Sequence, residues 1–305
     1  IPIKQKLELN NSATIETALF AVNQDVEDDR LGLPMDKMLD ILKPLFEDKQ
    51  VSKCVFGAKF MYQVLKRYDI NLTHFFDVLI AGSLVLPLES KELSEMVVNQ
   101  LGVQVDHKDG SDVVFLKRLQ DSFVSSLKEK QLESLFYDIE LPLISVLAEM
   151  EYEGVCLDLD ALRELSTSVT DEKHVLQTAI FSLVNSEFNL NSPKQLGEVL
   201  FDQLGLPVVK KTKTGRSTNV DVLETLKDKH EVIPLLLEYR QVEKLLNTYI
   251  DVFPHLVHAR TGRIHTTFHQ HVVVTGRLSS SEPNLQNIPI RSQKGEALRK
   301  LFIPR

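Results

Sequence analysis

Two polar segments of the C-terminal third carry side chains suited to holding a polyanion. TGRLSSSEPNLQNIPIR, residues 275–291, combines arginines, amides and serines between apolar segments. KKTKTGRST, residues 210–218, places four cations and four hydroxyls around Gly215. Cations and hydroxyls hold phosphates, and a glycine lets the backbone approach them closely. A solvated loop is the alternative for 210–218, and a self-bonded polar turn is the alternative for 275–291.

The donors of the turn at 275–291 suit the minor groove of duplex DNA. Gly276 and Pro283 bracket the turn, so Arg277 and the amides that follow it should project from it. Every base pair offers purine N3 and pyrimidine O2 as acceptors in that groove. A protein that binds these acceptors tests duplex geometry and ignores sequence. An ion pair of Arg277 with Glu282 across the turn is the competing interpretation.

A third segment, YRQVEKLLNTY at 239–249, predicts a two-faced helix. Arg240, Lys244 and Asn247 share one face at helical spacing. Val242, Leu246 and Tyr249 share the opposite face, where they can pack. Ordinary surface charges are the alternative for the polar face.

Charge and cysteine content narrow the class of protein. The net charge is −8, yet residues 190–305 carry 17 Lys and Arg against 11 Asp and Glu, a net of +6. The remaining 189 residues hold 18 against 32, a net of −14. This asymmetry favours polyanion binding by the C-terminal part alone. Two cysteines exclude a disulfide framework and favour a reducing interior, and no apolar run is long enough to cross a membrane.

The apolar pattern predicts the elements that position these segments. Residues 1 to about 104 mix strands, at Ile3–Leu9, Ala18–Val22 and Ser52–Phe56, with helices, which predicts a small α/β domain. Those helices are predicted at Met35–Phe46 (ended or kinked by Pro44), Tyr62–Tyr68 and Lys91–Leu101. Helices follow from Asp112 to Glu153 with a break at Pro142, and then at Asp160–Asn185, Ser192–Leu204, Asn219–Lys229 and Ile233–Leu256. Segment 210–218 is expected as a loop between helices, and strand character returns over 263–291.

Six segments, in order and spacing, resemble the family A DNA polymerases, the bacterial DNA polymerase I group. They are ELPLISVLAEMEYEGV (140–155), FNLNSPKQL (188–196), KKTKTGRST (210–218), EYRQVEKLLNTY (238–249), TGRIHTTFHQ (261–270) and TGRLSSSEPNLQNIP (275–289). The resemblance is strong from about Leu132 to Pro304. It implies a ribonuclease H-like exonuclease domain of α/β class, then a mainly helical thumb, then the start of an α+β palm. The implied bounds are 1–125 for a vestigial 3′–5′ exonuclease-like domain, 126–158 for connecting helices and the first palm segment, 159–256 for the thumb, and 257–305 for the start of the palm.

The resemblance also implies which side chains bind DNA. Arg277, Asn284 and Gln286 match residues that touch the minor groove near the primer terminus. The duplex backbone would be held by Lys210, Lys211, Lys213, Arg216, Arg240 and Lys244. The remaining candidates for DNA contact are Asn191, Ser192, Ser217, Thr218, Asn247, Gln270, Asn287 and Arg291.

The resemblance implies DNA-templated DNA synthesis in replication and repair, with this chain holding the primer–template duplex. Phosphoryl transfer needs carboxylates that hold Mg²⁺, and in this family they and the fingers lie beyond Arg305. The chain is therefore expected to be the front portion of a longer polymerase, without metal-ligating or catalytic residues of its own. dNTPs would bind the complete enzyme. We expect a cytoplasmic, nucleoid-associated bacterial monomer with no membrane contact, whose structural partner is the rest of the palm and the fingers.

Proofreading activity is not expected from the first domain. Its resemblance rests on ILKPLFEDKQ (41–50) and GAKFMYQVL (57–65), and Met61 stands where the family carries an aspartate. Alignment of GSDVVFL (110–116) places Gly110 at another metal-binding aspartate and Asp106 at a tyrosine. Asp25 and Glu27 have the form of the first motif, with a solvated acidic turn as the alternative. Two further functions stay open, a non-catalytic duplex-binding fragment and an active 3′–5′ exonuclease.

Overall fold

The computed structural model describes residues 34–89, 91–104, 111–212, 215–290 and 292–304. The chain divides into two compact units that exchange segments. The first unit combines the described part of Ile1–Gly154 with His265–Gln286, and the second combines Val155–Ile264 with Asn287–Arg305. The strands predicted at Ile3–Leu9 and Ala18–Val22 lie outside the described residues.

The first unit begins with helices around a short parallel strand pair. Its elements in order are α1 (Met35–Glu47), β1 (Lys53–Val55), α2 (Ala58–Lys66), β2 (Phe75–Asp77), α3 (Val78–Val85) and α4 (Leu93–Leu101). β1 pairs with β2 in parallel, with Cys54 opposite Phe76. Parallel neighbours need a crossover connection, which α2 supplies. The α/β character expected for this region is present in the described residues.

Asp77 ties this strand pair to the starts of two helices. Its side chain caps α3 by accepting from the Leu79 N–H at 2.9 Å. It also accepts from the N–H groups of Gly57 and Ala58, at 3.0 and 2.7 Å, at the start of α2. The carboxylate is almost fully buried, and burial raises its pKa against the opposing effect of these backbone donors.

A second set of helices completes the first unit. A 3₁₀ turn (Ser111–Phe115) leads into α5 (Leu116–Glu129), and a π-helical segment (Leu135–Glu140) runs directly into α6 (Leu141–Glu153). Two strands from a distant part of the sequence, β7 (Thr267–His269) and β8 (Ser279–Ser281), form an antiparallel pair. The apolar core includes Leu39, Val55, Phe76, Met96, Leu119, Phe123, Leu127, Phe136 and Ile144.

Neither proline ends a helix in this unit, although a helix end or kink was expected at Pro44 and a break at Pro142. Pro44 lies inside α1, which continues to Glu47. The carbonyl that proline leaves without a donor belongs to Asp40, an exposed residue that water can reach. Pro142 stands in the first turn of α6 and not at a break. The prediction of a helix start at Tyr62 is also wrong, because α2 begins at Ala58 behind a left-handed Gly57.

The second unit contains helices, a three-stranded sheet, and a two-stranded sheet that belongs to the candidate site. Its helices are α7 (Leu159–Val184), α8 (Pro193–Glu198, extended by a π segment Val199–Gln203), α9 (Val220–Thr225), α10 (Val232–Leu245, extended by a π segment Leu246–Ile250), α11 (Phe253–Leu256) and α12 (Gln293–Lys300). The three-stranded sheet has the antiparallel order β6–β3–β9, from Arg263–Ile264, Val155–Leu157 and Phe302–Ile303. In the described part of the chain, no helix is both long enough and apolar enough to cross a bilayer.

The helix starts of this unit follow from their capping residues. Asp158 caps the 26-residue α7 by accepting from the N–H groups of Asp160 and Ala161. Ser192 and Asn219 cap α8 and α9 in the same way. These short polar side chains satisfy N–H groups that have no partner within a helix. The helices predicted at Asp160–Asn185 and Ser192–Leu204 are confirmed, apart from small shifts at their ends. The helix predicted at Asn219–Lys229 ends early, at Thr225, and the helix predicted at Ile233–Leu256 is divided by turn residues 251 and 252.

Candidate nucleic-acid interface

Segment 210–218, expected as a loop between helices, contains a short antiparallel strand pair, the β4–β5 hairpin. β4 (Lys211–Thr212) pairs with β5 (Gly215–Arg216), and the Ser217 N–H donates to the Lys210 carbonyl at 2.9 Å. Gly215 has a φ of 149°, in the region that favours glycine. Lys210 and Lys211 are exposed on the hairpin, whereas Lys213 lies outside the described residues.

A cavity of about 780 Å³ opens beside this hairpin. It lies entirely within the second unit. Most of the lining residues are of polar type, and three of them carry hydroxyls: the set is Ser192, Pro193, Lys194, Gly197, Glu198, Gly215, Arg216, Ser217, Thr218, Asn219 and Arg240. The N-terminal end of α8, the hairpin and α10 thereby bring three separate sequence segments to one surface.

Arg240 carries a partly buried charge at this cavity. Its guanidinium donates to the Thr218 carbonyl and, at 3.4 Å, to the Thr218 hydroxyl. No carboxylate pairs with it among the residues that the structure describes, and burial lowers its pKa. A desolvated cation without a counter-charge favours binding of an anion.

Two residues predicted to bind DNA through their hydroxyls, Ser217 and Thr218, are buried in the wall of the cavity. Thr218 is buried and holds Arg240. Ser217 is also buried and accepts from the Asn219 N–H at 3.4 Å. These side chains shape the site and offer little surface to a ligand.

Arg216 lies at the cavity in an ion pair. Its guanidinium makes two hydrogen bonds to the Asp202 carboxylate, at 2.5 and 2.6 Å, and lies over the Phe201 ring at 5.3 Å. Hydrogen bonds from Arg216 lower the pKa of Asp202. A phosphate that bound Arg216 would have to compete with this carboxylate.

The side chain of Asn191 is also committed within the protein. Its Nδ2 donates to Glu243 Oε1 at 2.7 Å, and Lys173 on α7 pairs with the same carboxylate at 2.5 Å. Burial opposes ionisation of Glu243, but hydrogen bonds from Lys173, Asn191 and Asn247 keep its pKa below the usual value. This network joins α7, α10 and the segment before α8. The buried carboxylate therefore holds the walls of the cavity in place.

The predicted polar face of α10 divides between two cavities. Val242, Leu246 and Tyr249 are buried, as expected for the opposite face. Arg240 lines the cavity beside the hairpin, whereas Lys244 lines a second cavity of about 1130 Å³ that also includes Lys294. Asn247, the third member of the polar face, is exposed.

In the first unit, Arg277 lies on the connection between β7 and β8. Its side chain is exposed, and among the described residues it has no hydrogen-bond or ion-pair partner. The competing prediction of a pair with Glu282 is therefore not met in the described part of the chain. Gly276 before it has a φ of 72°, which favours glycine.

The amides near Arg277 differ in their availability. Asn284 Oδ1 accepts from the Gln286 N–H at 3.1 Å and from the Ser280 hydroxyl at 3.2 Å, while Asn284 and Gln286 remain exposed. Gln270 donates through Nε2 to the carbonyl and the carboxylate of Glu140, at 3.1 and 2.9 Å. Its amide thus fastens the hairpin to the helical part of the first unit.

The remaining candidates lie in the second unit or outside the described residues. Ser192 caps α8. Asn287 is exposed, and its main-chain carbonyl accepts from the Tyr249 hydroxyl. Arg291 lies outside the described residues.

The partners of Glu151 on α6 were not predicted from the sequence. This nearly buried carboxylate binds Lys59, Gln63 and the Phe268 N–H. The sequence did hold a signal, because Ile144, Leu147, Ala148 and Glu151 follow helical spacing and the first three are buried. A glutamate at a core position of an amphipathic helix indicates a buried partner.

The exonuclease-like region offers no metal site in its described residues. Met61 is half-buried and packs against the apolar core of the first unit. Among described residues, no three His, Cys, Asp or Glu side chains gather as metal ligands. Asp25, Glu27, Asp106 and Gly110 lie outside the described part of the chain.

Two family models match the chain. Residues 159–305 match DNA polymerase family A, and residues 5–121 match a 3′–5′ exonuclease family. The chain is 39% identical over 288 residues to DNA polymerase I of Caldicellulosiruptor bescii, covering 92% of this chain and 33% of that protein. It is 43% identical over 249 residues to the thermostable DNA polymerase I of Thermus aquaticus, covering 81% and 30%. The chain thus spans about a third of the length of these curated relatives.

A solved structure shares the fold over most of the chain. It is the POL domain of Pol1 from M. smegmatis in complex with DNA primer–template and dNTP. The TM-score is 0.80 at 35% sequence identity, over 89% of this chain and 49% of that one.

Proposed function

Because the chain belongs to DNA polymerase family A over residues 159–305, we propose that it is the duplex-holding part of a DNA-directed DNA polymerase. The complete protein would act in bacterial replication and repair. Its substrates would be a primer–template duplex and dNTPs, and it would use Mg²⁺. The bacterial DNA polymerase I relatives and the primer–template complex of the M. smegmatis protein support this proposal. We further propose a cytoplasmic monomer that works at the nucleoid.

We propose four segments with different roles. Residues 159–256 act as the thumb, and residues 126–158 and 257–305 contribute the first parts of the palm. Residues 1–125 keep an exonuclease-like fold and serve as a scaffold. Support comes from the 3′–5′ exonuclease match over 5–121 and from the expected alignment of Met61 with a metal-binding aspartate of the family.

One observation carries the assignment of duplex binding, namely the uncompensated Arg240 charge at the cavity beside the β4–β5 hairpin. A cavity of about 780 Å³ that is lined by this cation and Lys194 has the chemistry of a phosphate site. Lys210 and Lys211 would extend that surface along the backbone. Contacts of this kind bind any sequence and weaken with salt.

The hairpin β7–β8 would supply the second, different contact. Arg277 is exposed and unpaired among described residues, so its guanidinium is available to minor-groove acceptors. Asn284 and Gln286 would add amide donors. We propose that these side chains test the geometry of the terminal base pair and leave most of the affinity to the phosphate contacts.

Replacement of Arg240 tests the phosphate site. Arg240→Met should weaken binding of a fluorescent duplex by roughly tenfold at low salt, equivalent to about 1.4 kcal/mol for one charge-assisted contact. Lys229→Met removes one positive charge from an exposed position of the same unit and is the matched control.

Both variants should unfold at nearly the parent temperature, because Arg240 has no carboxylate partner in the described residues. Equal duplex affinity of the two variants would show that Arg240 does not form a phosphate site. A parent chain that fails to bind duplex DNA at low salt would contradict duplex holding by this chain.

A further inference from the structure

A buried cluster in the first unit joins the exonuclease-like helices to the hairpin that carries Arg277. The Glu151 cluster consists of Glu151 on α6, Lys59 and Gln63 on α2, and Phe268 on β7. Glu151 is 7% exposed and Gln63 is 6% exposed, so both are removed from bulk water. Such a carboxylate is stable only when its charge and its hydrogen bonds are satisfied.

The cluster satisfies both main-chain polar groups of Phe268. Glu151 Oε1 accepts from the Phe268 N–H at 2.6 Å. The ammonium of Lys59 donates to the Phe268 carbonyl and also to Glu151. Gln63 donates to the other carboxylate oxygen at 2.5 Å, and the ring of His265 bonds to the main-chain carbonyl of Glu151 at 2.8 Å.

These bonds attach strand β7 to helices α2 and α6, in addition to joining the two helices to each other. Phe268 lies opposite Ser280 in the β7–β8 pair. The connection between these strands, residues 270–278, carries Arg277. A second bond, from Gln270 to Glu140, fastens the start of this connection. A small displacement of the strands would therefore be carried to the tip.

We propose that Glu151 and Lys59 are positioning residues that fix the orientation of the β7–β8 hairpin, and through it the place of Arg277 in the minor groove. The second part of this statement rests on the proposed function. An active site loses rate steeply when a positioning contact shifts by about 1 Å. On this basis the exonuclease-like region contributes to polymerisation by holding the hairpin.

The same two helices carry a matched control. Lys66 on α2 pairs with Glu149 on α6, and Tyr62 donates to Glu149 at 2.8 Å. This pair joins α2 to α6 as the Glu151 cluster does, but it makes no hydrogen bond to β7 or β8 in the described residues. Replacing a residue of either group should loosen the packing of α2 against α6. Only a replacement in the Glu151 cluster should also reduce the order of the β7–β8 hairpin.

The chain contains no tryptophan, which allows a single reporter at the hairpin tip. Val274 is exposed, three residues before Arg277, so Val274→Trp should disturb no packing. In this background, Glu151→Gln and Lys59→Met should each lower the nanosecond fluorescence anisotropy by about a third, the change from an ordered to a flexible backbone. Glu149→Gln and Lys66→Met should leave it unchanged.

Non-additivity separates positioning from general loosening. Because Glu151 and Lys59 act on the same strand residue, Phe268, the double variant should lower the anisotropy no further than either single variant. Circular dichroism identifies any variant that fails to fold. Lys59→Met, at a more exposed position than Glu151, keeps the test decisive if Glu151→Gln unfolds.

Duplex DNA gives a second readout. Quenching of the reporter by bound duplex should be smaller in Glu151→Gln than in the parent, while the Kd from labelled duplex should stay within about twofold, because phosphate contacts supply most of the affinity. Unchanged anisotropy in both cluster variants, or an equal loss in the Lys66 control, would overturn the proposal. If the parent does not bind duplex, the proposed function fails, whereas the anisotropy series still decides the role of Glu151 and Lys59.

Discussion

Three arginines of this chain show how local surroundings decide what a guanidinium can do. Arg216 is held by two hydrogen bonds to Asp202, Arg240 is partly buried without a carboxylate partner in the described residues, and Arg277 is exposed and unpaired there. The first is already neutralised, the second is suited to an anion, and the third is free to meet a neutral acceptor. One residue type thus occupies three different environments.

The Arg216–Asp202 pair predicts a gain of function. Asp202→Asn should release Arg216 and add one phosphate contact, which would strengthen duplex binding and increase the salt dependence. The slope of log K against log salt should steepen by about 0.9, measured by titrating labelled duplex at several salt concentrations.

Glu224→Gln is the matched control, because it removes an acidic partner of Lys227 on the same unit, away from the cavity. An Asp202→Asn slope equal to that of the parent would show that Arg216 does not reach phosphate even when it is free.

His271 predicts a stability change with pH. Burial, with the nearby cations His269, Lys59 and Lys91, lowers its pKa to about 4. The unfolded chain then binds a proton that the folded chain does not, so the free energy of unfolding should fall as pH decreases from about 6.5 to about 4. Allowing for partial exposure, the contribution is on the order of 1–2 kcal/mol.

Urea unfolding at a series of pH values across that window measures this effect. His271→Gln should flatten the decline, and His255→Gln, at an exposed position of the second unit, should not. A decline of equal size in His271→Gln and the parent would exclude His271 as its source.

At the scale of elements, regular patterns were predictable and backbone details were not. The long helix after Asp158 follows from its cap and from apolar spacing, and Ser192–Pro193 marks the start of α8. The β4–β5 hairpin was not predictable, because two-residue strands leave no measurable alternation. The continuation of α1 through Pro44 depends on solvent around Asp40, which a sequence pattern does not contain.

The sequence predicted which residue types the candidate site contains, but not which partners the individual side chains bind. The prediction of a buried face on α10 was correct, and the cations and hydroxyls of 210–218 were evident from composition. The hydrogen bonds of Asn191 to Glu243 and of Gln270 to Glu140 could not be predicted, because each joins residues that are far apart in the sequence, 130 residues in the second case. Glu151 was visible only as a charge at a core position.

The β4–β5 hairpin predicts a graded weakening of salt dependence. Lys210→Ala with Lys211→Ala should reduce the log–log salt slope by about 1.8, which is about 0.9 for each phosphate that the hairpin no longer neutralises. Arg216→Ala should reduce the slope by less than that single-phosphate value, because Asp202 already neutralises the side chain. Titration of labelled duplex at several salt concentrations measures all three slopes.

The control for this pair is Lys227→Ala with Lys229→Ala, which removes the same charge from exposed positions after α9. Equal slopes in the two double variants would show that the hairpin lysines are ordinary solvated side chains that do not contact phosphate.

At the scale of the whole molecule, the acidic and basic parts of the sequence suggest a division of work. The basic C-terminal third contains the proposed phosphate contacts, and the acidic part contains the exonuclease-like region. An acidic surface repels DNA, so substrate should collect on the basic part. On the proposed function, the exonuclease-like region would contribute structure to the hairpin in place of a second catalytic site.

This division predicts that the chain does not shorten a 3′ end. A primer labelled at its 5′ end, annealed to template and incubated with Mg²⁺, should keep its full length, because Met61 is expected to stand where the family carries a metal-binding aspartate. A proofreading exonuclease added to a parallel tube controls for the substrate. Shortening that a chelator abolishes would show an active exonuclease instead.

The exchange of segments between the two units bears on how the chain is made. The first unit needs residues 265–286, which follow 110 residues assigned to the second unit. Phe268 lies 117 residues after Glu151, so on the ribosome Lys59 and Gln63 are available to that carboxylate long before its third donor is translated. The first unit can therefore become complete only after residues 155–264 of the second unit have left the exit tunnel. The second unit is completed later still, because its segment Asn287–Arg305 follows the last segment of the first unit.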